Sequence, residues 1–349
     1  MKMGAIAQNP LEWIALKTGL VPIALAYSHF GFLISKILLE ATDKGIFELI
    51  GNQKVSLKYI AATCNLNLKA LKSTLAVLAS MGLIDTDGEV FFLTKQAKKW
   101  LLKDSSNSLY WFLMFDNRVC IKWIDYIGEF MQTGKGLEYH KTFNEDEWFY
   151  YQKAMEATAA LTSKEAIRKI PVPANATTML DIGGAHGLYS VTLCKKHKGL
   201  RSIILDLPGA VEKAKPILEK YAMQHVVTHQ TGNILTDDIG ENKFDLIIMA
   251  SVAHHFSEEE NRLVANKVYK ALRPGGHFAI AEILRNEKIK LNGDMLAAMG
   301  DFFFLLSSTS GTWSLDEISS WHKEAGFQHL STKKFRSIPG YTAITAKKL

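Results

Sequence analysis

Apolar and polar positions along this 349-residue chain change their period as the chain proceeds, and the changes divide it into three parts. Residues 1–104 mostly follow a helical period. Residues 10–50 predict two helices, the second from about Ser28 to Leu49 with Phe32, Ile37, Leu38, Ile46, Phe47 and Leu49 spread over most of its sides. A helix of that kind needs burial against more than one neighbour. Ser56 and Asn67 stand at N-cap positions before two further helices joined by a short turn, and Gly82 stands at a C-cap position. Ile84 to Gly88 followed by Glu89 to Leu93 predicts a hairpin on an Asp-Gly turn. Helix, turn, helix and hairpin make a winged helix.

Residues 105–172 read as a helical, aromatic-rich linker that contributes to a pocket, with Tyr110, Trp111, Phe112, Phe115, Trp123, Tyr126 and Phe130 in its first half. Trp148, Phe149, Tyr150, Tyr151 and Met155 follow. Most of these rings belong in a core, and a subset can roof a flat apolar ligand. Pro171-Val-Pro173 ends the helix. From 173 to 349 strands and helices alternate: apolar runs at 178–182, 201–206, 225–229, 244–250, 276–284, 329–336 and 341–346, helices over 188–198, 209–223, 257–272 and 314–325. Such alternation predicts an α/β, doubly wound sheet of seven strands with its ligand crevice at the strands' carboxyl ends. Only Ser337-Ile-Pro-Gly340 separates the last two strands. Four residues are too few for a parallel crossover, so an antiparallel C-terminal hairpin is expected.

Composition narrows the partners. A net charge of +6 with no dense Lys/Arg block gives no reason to expect nucleic acid or a membrane surface. The second helix of the winged helix offers Lys69 and Lys72 but no arginine, which favours packing or dimerisation over reading a DNA groove. Cys64, Cys120 and Cys194 are scattered, which argues against a disulfide framework or a metal site. With no secretory leader pattern at the N-terminus, a cytoplasmic protein is expected. Lys17 to Lys36 encloses an uncharged stretch near the length of a membrane span. Gly19, Pro22, Ser28, His29 and Gly31 within it favour a buried inter-subunit helix instead.

The candidate chemistry centres on Met179-Leu-Asp-Ile-Gly-Gly-Ala-His-Gly187. Gly183, Gly184 and Gly187 let the backbone approach a ligand, and a helix opening near Leu188 turns its N-terminal amides toward the same crevice. The dinucleotide fingerprint G-x-G-x-x-G would require glycine at 182, where Ile182 stands, and Asp181 ends the strand. Asp206 ends the second strand, placed to accept both hydroxyls of a ribose. Asn233, after the third strand, can meet an amino edge through its carbonyl oxygen. His254 and His255 follow the fourth strand just ahead of the helix start at Ser257, and one of the pair can take a proton from a hydroxyl.

Through Asp181-x-Gly-Gly-x-x-Gly187, Asp206-Leu-Pro208, Gly232-Asn233, His254-His255-Phe256, Pro274-Gly-Gly276 and Ala325-Gly-Phe327, the C-terminal part resembles class I S-adenosylmethionine-dependent methyltransferases. The whole chain resembles the dimeric O-methyltransferases of plant phenylpropanoid and bacterial natural-product pathways, which carry an N-terminal winged-helix dimerisation domain. The resemblance implies S-adenosyl-L-methionine as cofactor, a homodimer formed through the N-terminal domain and a small-molecule acceptor. It puts Asp181, Gly183, Gly184, Gly187, Asp206, Leu207, Asn233, Ile234 and Ala250 around the cofactor, and Trp148, Tyr151, Met155 and His255 around the acceptor. It makes His254 the base and Glu282 the carboxylate that orients it. Three positions depart from the family pattern. Asn233 replaces an aspartate, His255-Phe256 replaces Asp-Trp, and Thr312 replaces a second carboxylate beside the base. Carbon methylation or a cofactor-dependent cyclisation stays open on the same fold, as does, at greater distance, a DNA-binding regulator.

Overall fold

A computed structural model describes residues 5–286, 288–289, 294–308 and 310–349. The chain forms two compact units, one running to Ile121 and the other from Lys122 to Leu349.

In the first unit, Asn9 caps a helix over Pro10–Lys17 by accepting the Glu12 N–H. The expected second helix starts earlier and breaks. It runs continuously from Ile23 to Asp43 through a π-turn at Ala26–Phe30. It stops where Gly45 turns left-handed (φ 74°), and Ile46–Ile50 resumes as a separate short helix. Glycine takes that φ without a Cβ penalty, so a periodicity that continues across it does not keep the helix intact. Ser56 and Asn67 cap the helices Leu57–Thr63 and Leu68–Ser80, as expected. Strands β1 (Val55–Ser56), β2 (Ile84–Thr86) and β3 (Val90–Leu93) form a small antiparallel sheet in the order β1-β3-β2. Phe47, Ile50, Ile60, Leu71, Leu75 and Leu78 make its core. The helix Ile23–Asp43 is long and apolar enough to cross a membrane by length and composition, yet only 6 % of its most apolar window is buried. Leu11, Trp13, Leu20, Phe30 and Phe32 remain exposed.

The second unit carries the seven-stranded sheet: β4 (Thr178–Ile182), β5 (Arg201–Asp206), β6 (Val227–Thr231), β7 (Phe244–Ala250), β8 (Leu272–Ile283), β9 (Gln328–Lys334) and β10 (Tyr341–Lys347). Their order is β6-β5-β4-β7-β8-β10-β9, parallel from β6 to β8, with β10 antiparallel to both of its neighbours. Arg273-Pro-Gly-Gly276 loops out of β8, since Leu272 pairs with Phe244 and His277 already pairs with Leu246. Neighbouring residues alternate between two apolar clusters. Leu180 and Ile247 pack with Val268, Ile318 and Trp321, while Met179 and Ile248 pack with Leu193 and Ile204. That is the signature of a sheet buried on both faces. One element has no counterpart in the sequence reading, the helix Met295–Ser307. Its run Met-Leu-Ala-Ala-Met-Gly-Asp-Phe-Phe-Phe-Leu-Leu-Ser is apolar almost all round and shows no amphipathic period.

His322 is buried in the first of these clusters, edge-on to Phe278 (5.1 Å) and Phe327 (5.7 Å), and neither ring nitrogen has a hydrogen-bond partner among the described residues. Burial, with a smaller push from His329, holds it neutral by pulling its pKa from 6.5 to about 3. The unfolded chain therefore binds a proton that the folded chain refuses. Stability from this residue is full above pH 6.5 and is lost as pH falls toward 3, about 2 kcal/mol by pH 5. His322→Phe is accordingly expected to raise the unfolding midpoint at pH 5 much more than at pH 8. Equal shifts at the two pH values would remove the explanation.

Candidate active site

The glycine turn after β4 is shaped by what lies beneath it. Asp181 is buried under the turn, where its Oδ2 accepts the Ser190 hydroxyl (2.6 Å) and its Oδ1 has no partner among the described residues. Burial, opposed by Ser190 and assisted by Asp206, pushes its pKa up to about 7. Gly184 lies directly on that carboxyl group, so any Cβ there overlaps it. Gly183 adopts φ 65°, and a Cβ would stand 2.6 Å from a Val252 methyl. Gly187 caps the helix Leu188–Lys196, and its Cβ would meet Ile204 at 2.7 Å. Packing favours glycine most strongly at 183 and 184, and the left-handed backbone (φ 74°) favours it at 187.

At the end of β5, Asp206 accepts the Ala185 N–H through Oδ2 (2.9 Å) and the Leu207 N–H through Oδ1 (2.8 Å). Burial outweighs these bonds and pushes its pKa up to about 6. Asn233 donates its N–H to Asp237 and uses its side-chain oxygen on the Leu235 N–H (3.0 Å). One lone pair of that oxygen is thus spent on the loop itself.

These strand ends open into a cavity of about 480 Å³. Gly183, Asp206, Leu207, Asn233 and Ile234 line it from the sheet. Tyr139, His140, Trp148, Tyr151 and Gln152 line it from the turn Tyr139–Lys141 and the long helix Glu145–Lys169, whose start is fixed by an Asn144/Glu147 capping box. The rings pack on one another. Trp148 stacks on His140 at 5.4 Å, and Tyr151 meets His140 edge-on at 5.0 Å.

His255 lines the cavity from the turn Ala253–His255 after β7, 4.7 Å from the His140 ring and 4.1 Å from the His254 ring. Burial, followed by the neighbouring imidazoles, drives its pKa well below 6.5; burial with His254 brings His140 to about 3. Both are neutral near pH 7. His254, 2 % exposed, sits behind the wall. Its Nδ1 lies 3.1 and 3.2 Å from the two oxygens of Glu282, and Glu282 also accepts the Ala253 N–H (2.8 Å). The helix Met295–Ser307 closes over the pair, with the Phe304 ring 3.9 Å from that of His254 and the Ser308 hydroxyl donating to the His254 carbonyl. Thr312 donates both its hydroxyl (2.6 Å) and its N–H (2.9 Å) to Asp301 of that helix, so a carboxylate does reach Thr312, brought by a different element.

Of the residues singled out from sequence, Gly183, Asp206, Leu207, Asn233, Ile234, Trp148, Tyr151 and His255 reach the cavity wall. Asp181 lies beneath the turn, Gly184 and Gly187 belong to the turn without lining the cavity, Ala250 precedes the lining residue Ser251, and Met155 is half-buried away from the wall. Tyr139, His140, Gln152 and Ser251 were not foreseen. The first two lie in a turn with no period to read. Gln152 had a usable signal, because it shares a helix face with Trp148 four residues earlier. Among the described residues, no group of three or more His, Cys, Asp or Glu side chains is arranged to hold a metal ion.

Comparison with known proteins agrees with this architecture. The family model of an O-methyltransferase domain matches residues 128–328, and that of an O-methyltransferase dimerisation domain matches residues 27–104. Acetylserotonin O-methyltransferase of Gallus gallus is 23 % identical over 346 residues, covering 93 % of this chain and 97 % of that protein. O-demethylpuromycin-O-methyltransferase of Streptomyces alboniger is 22 % identical, covering 90 % of this chain and 85 % of the relative. The crystal structure of human N-acetylserotonin methyltransferase in complex with SAM superposes with a TM-score of 0.81 over 99 % of both chains at 19 % identity. The structure titled PigF with SAH gives 0.79 over 94 % of this chain and all of that one, again at 19 % identity.

Proposed function

Since the chain belongs to the O-methyltransferase family, whose members use S-adenosyl-L-methionine, we propose that it methylates a hydroxyl of a small, flat, apolar acceptor, with His254 as base and Glu282 as the group that orients it. The residues present fit the cofactor. The tight turn at Gly183 keeps side chains away from its methionine part, Asp206 keeps lone pairs for ribose hydroxyls, and Asn233 and Ile234 flank an adenine. When bound, it supplies an electrophilic methyl group on a positively charged sulfur.

The observation that carries the reading is the buried His254–Glu282 pair. A carboxylate only accepts, so in the neutral ring Nδ1 of His254 holds the proton and Nε2 keeps its lone pair. That tautomer can receive a proton from a phenol, which with a pKa of about 10 is mostly protonated at neutral pH. The apolar rings of the wall exclude water and orient a flat acceptor. Incubation with cofactor labelled in the methyl group tests the reaction, and label on a product oxygen is the expected result. Label on carbon, or rearranged product without label, would favour the other chemistries this fold can host. The position of His254 behind the wall speaks for that second reading.

Asp206 gives the cofactor affinity a pH dependence. Ribose hydroxyls donate best to the ionised carboxylate, and Asp206 takes up its proton near pH 6. The dissociation constant for S-adenosyl-L-methionine is expected to be flat above pH 7 and to rise below 6, approaching about tenfold per unit. Asp206→Asn should bind weakly throughout and lose this slope; calorimetric titration from pH 5 to 8 reads both.

The exposed apolar side chains between Leu11 and Phe32 support a homodimer, in which the helix Ile23–Asp43 packs on a second copy instead of entering a bilayer. Light scattering is expected to give twice the mass of the chain. The cytoplasmic setting and the natural-product role belong to the same proposal, in line with relatives named for puromycin chemistry.

A further inference from the structure

Gln152 lines the cavity while being 1 % exposed, and among the described residues neither its Oε1 nor its Nε2 has a hydrogen-bond partner. An amide buried without partners is costly, and the helix position would accept a methionine or leucine of nearly the same size without that cost. The unmet bonds therefore point to something that enters the cavity. Gln152 follows Tyr151 and lies one turn beyond Trp148, on the helix that supplies the ring-lined wall, whereas the cofactor groups come from the strand ends.

We propose that Gln152 determines acceptor specificity by pairing with a neutral amide of the acceptor, a carboxamide or a lactam. The proposal rests on the methyl-transfer reading for the identity of the site. A carboxamide carries one donor and one acceptor side by side, and its natural complement is a second amide that carries the same two in reverse. A carboxylate would meet the Nε2 donor but leave Oε1 unmatched, and an ammonium would do the opposite. The charged groups on the wall have other partners: Glu138 pairs with Lys141, Glu260 accepts the Ser257 N–H, and Asp206 accepts two loop amides and is left for the ribose. His140 and His255 add no charge near neutrality.

The test uses two flat bicyclic phenols of equal outline, 2-naphthol and 6-hydroxyquinolin-2-one, of which only the second carries a lactam. Their binding to the full-length protein saturated with S-adenosylhomocysteine is measured by calorimetry for the native chain and for Gln152→Met. The native protein is expected to bind the lactam about tenfold or more tightly than the naphthol. Gln152→Met should bring the two affinities together, keep the affinity for S-adenosylhomocysteine, and raise the melting temperature of the free protein because an unpaired amide has gone. Equal affinities in the native protein, or no binding of either probe, overturn the proposal. A lower melting temperature for Gln152→Met also overturns it, since the amide would then be satisfied inside the fold; a loss confined to S-adenosylhomocysteine would reassign Gln152 to the cofactor. Binding is read without turnover. Lactam preference without methyl transfer would leave this proposal standing and remove the reaction, and methyl transfer without the preference would do the reverse.

Discussion

Replacing His254 by alanine is expected to slow methylation of a phenolic acceptor by about 10²–10⁴-fold at neutral pH, the usual contribution of a positioned base. The variant's pH profile is the more telling measurement. Without an imidazole the reaction needs acceptor molecules that have already ionised, so the rate of the alanine variant should climb about tenfold per pH unit until the acceptor's own pKa near 10. The native rate should not follow the acceptor's ionisation in this way. Glu282→Gln should fall between the two, because an amide can offer Nδ1 either a donor or an acceptor and no longer fixes the tautomer that leaves Nε2 free. A His254→Ala enzyme with native rates at pH 7 would transfer attention to His255, the imidazole that stands on the cavity wall.

Gly183→Ala should be as damaging by another route. The added methyl group meets Val252 at 2.6 Å, and the residue would have to hold φ 65°. Strain of these two kinds costs about 2–4 kcal/mol together. Relief requires the turn or Val252 to shift, and both line the cavity, so cofactor affinity should fall by about tenfold or more as the urea midpoint drops. Gly209→Ala is the control. Gly209 lies in the helix Pro208–Glu219 with ordinary φ and nothing within 4 Å of a new Cβ, so alanine there should be neutral or stabilise by up to about 1 kcal/mol. Equal stability of the two variants would dismiss the close fit at Gly183.

Much of this fold was legible because its signals are local. The antiparallel end of the sheet followed from the four residues Ser337 to Gly340 between the last two apolar runs, and the helix starts from caps such as Ser56, Asn67 and Ser257. What escaped was set by tertiary surroundings. Gly45 interrupts a helix whose apolar pattern runs on unbroken, and Met295–Ser307 hides its helical period by being apolar on nearly every side. The site shows the same division. Glycines and strand-end carboxylates announce themselves by position along the chain. His254 and His255 are adjacent letters, and only the turn they share places one against Glu282 and the other on the wall. Gln152 shares a helix face with Trp148, but only its burial sets it apart from other helix residues.

The strand order has a consequence for how this protein comes into being. β10 lies between β8 and β9, and Thr342 is the residue paired with Glu282. While the chain is still being synthesised, β8 can join β7 but its other edge stays open until residues 341–347 have left the ribosome. Glu282, hydrogen-bonded to His254, thus stands on an open edge from the time β8 emerges until β10 does. The cofactor cradle from β4 and β5 can form on the nascent chain. The strand that carries Glu282, the partner of His254, waits for β10.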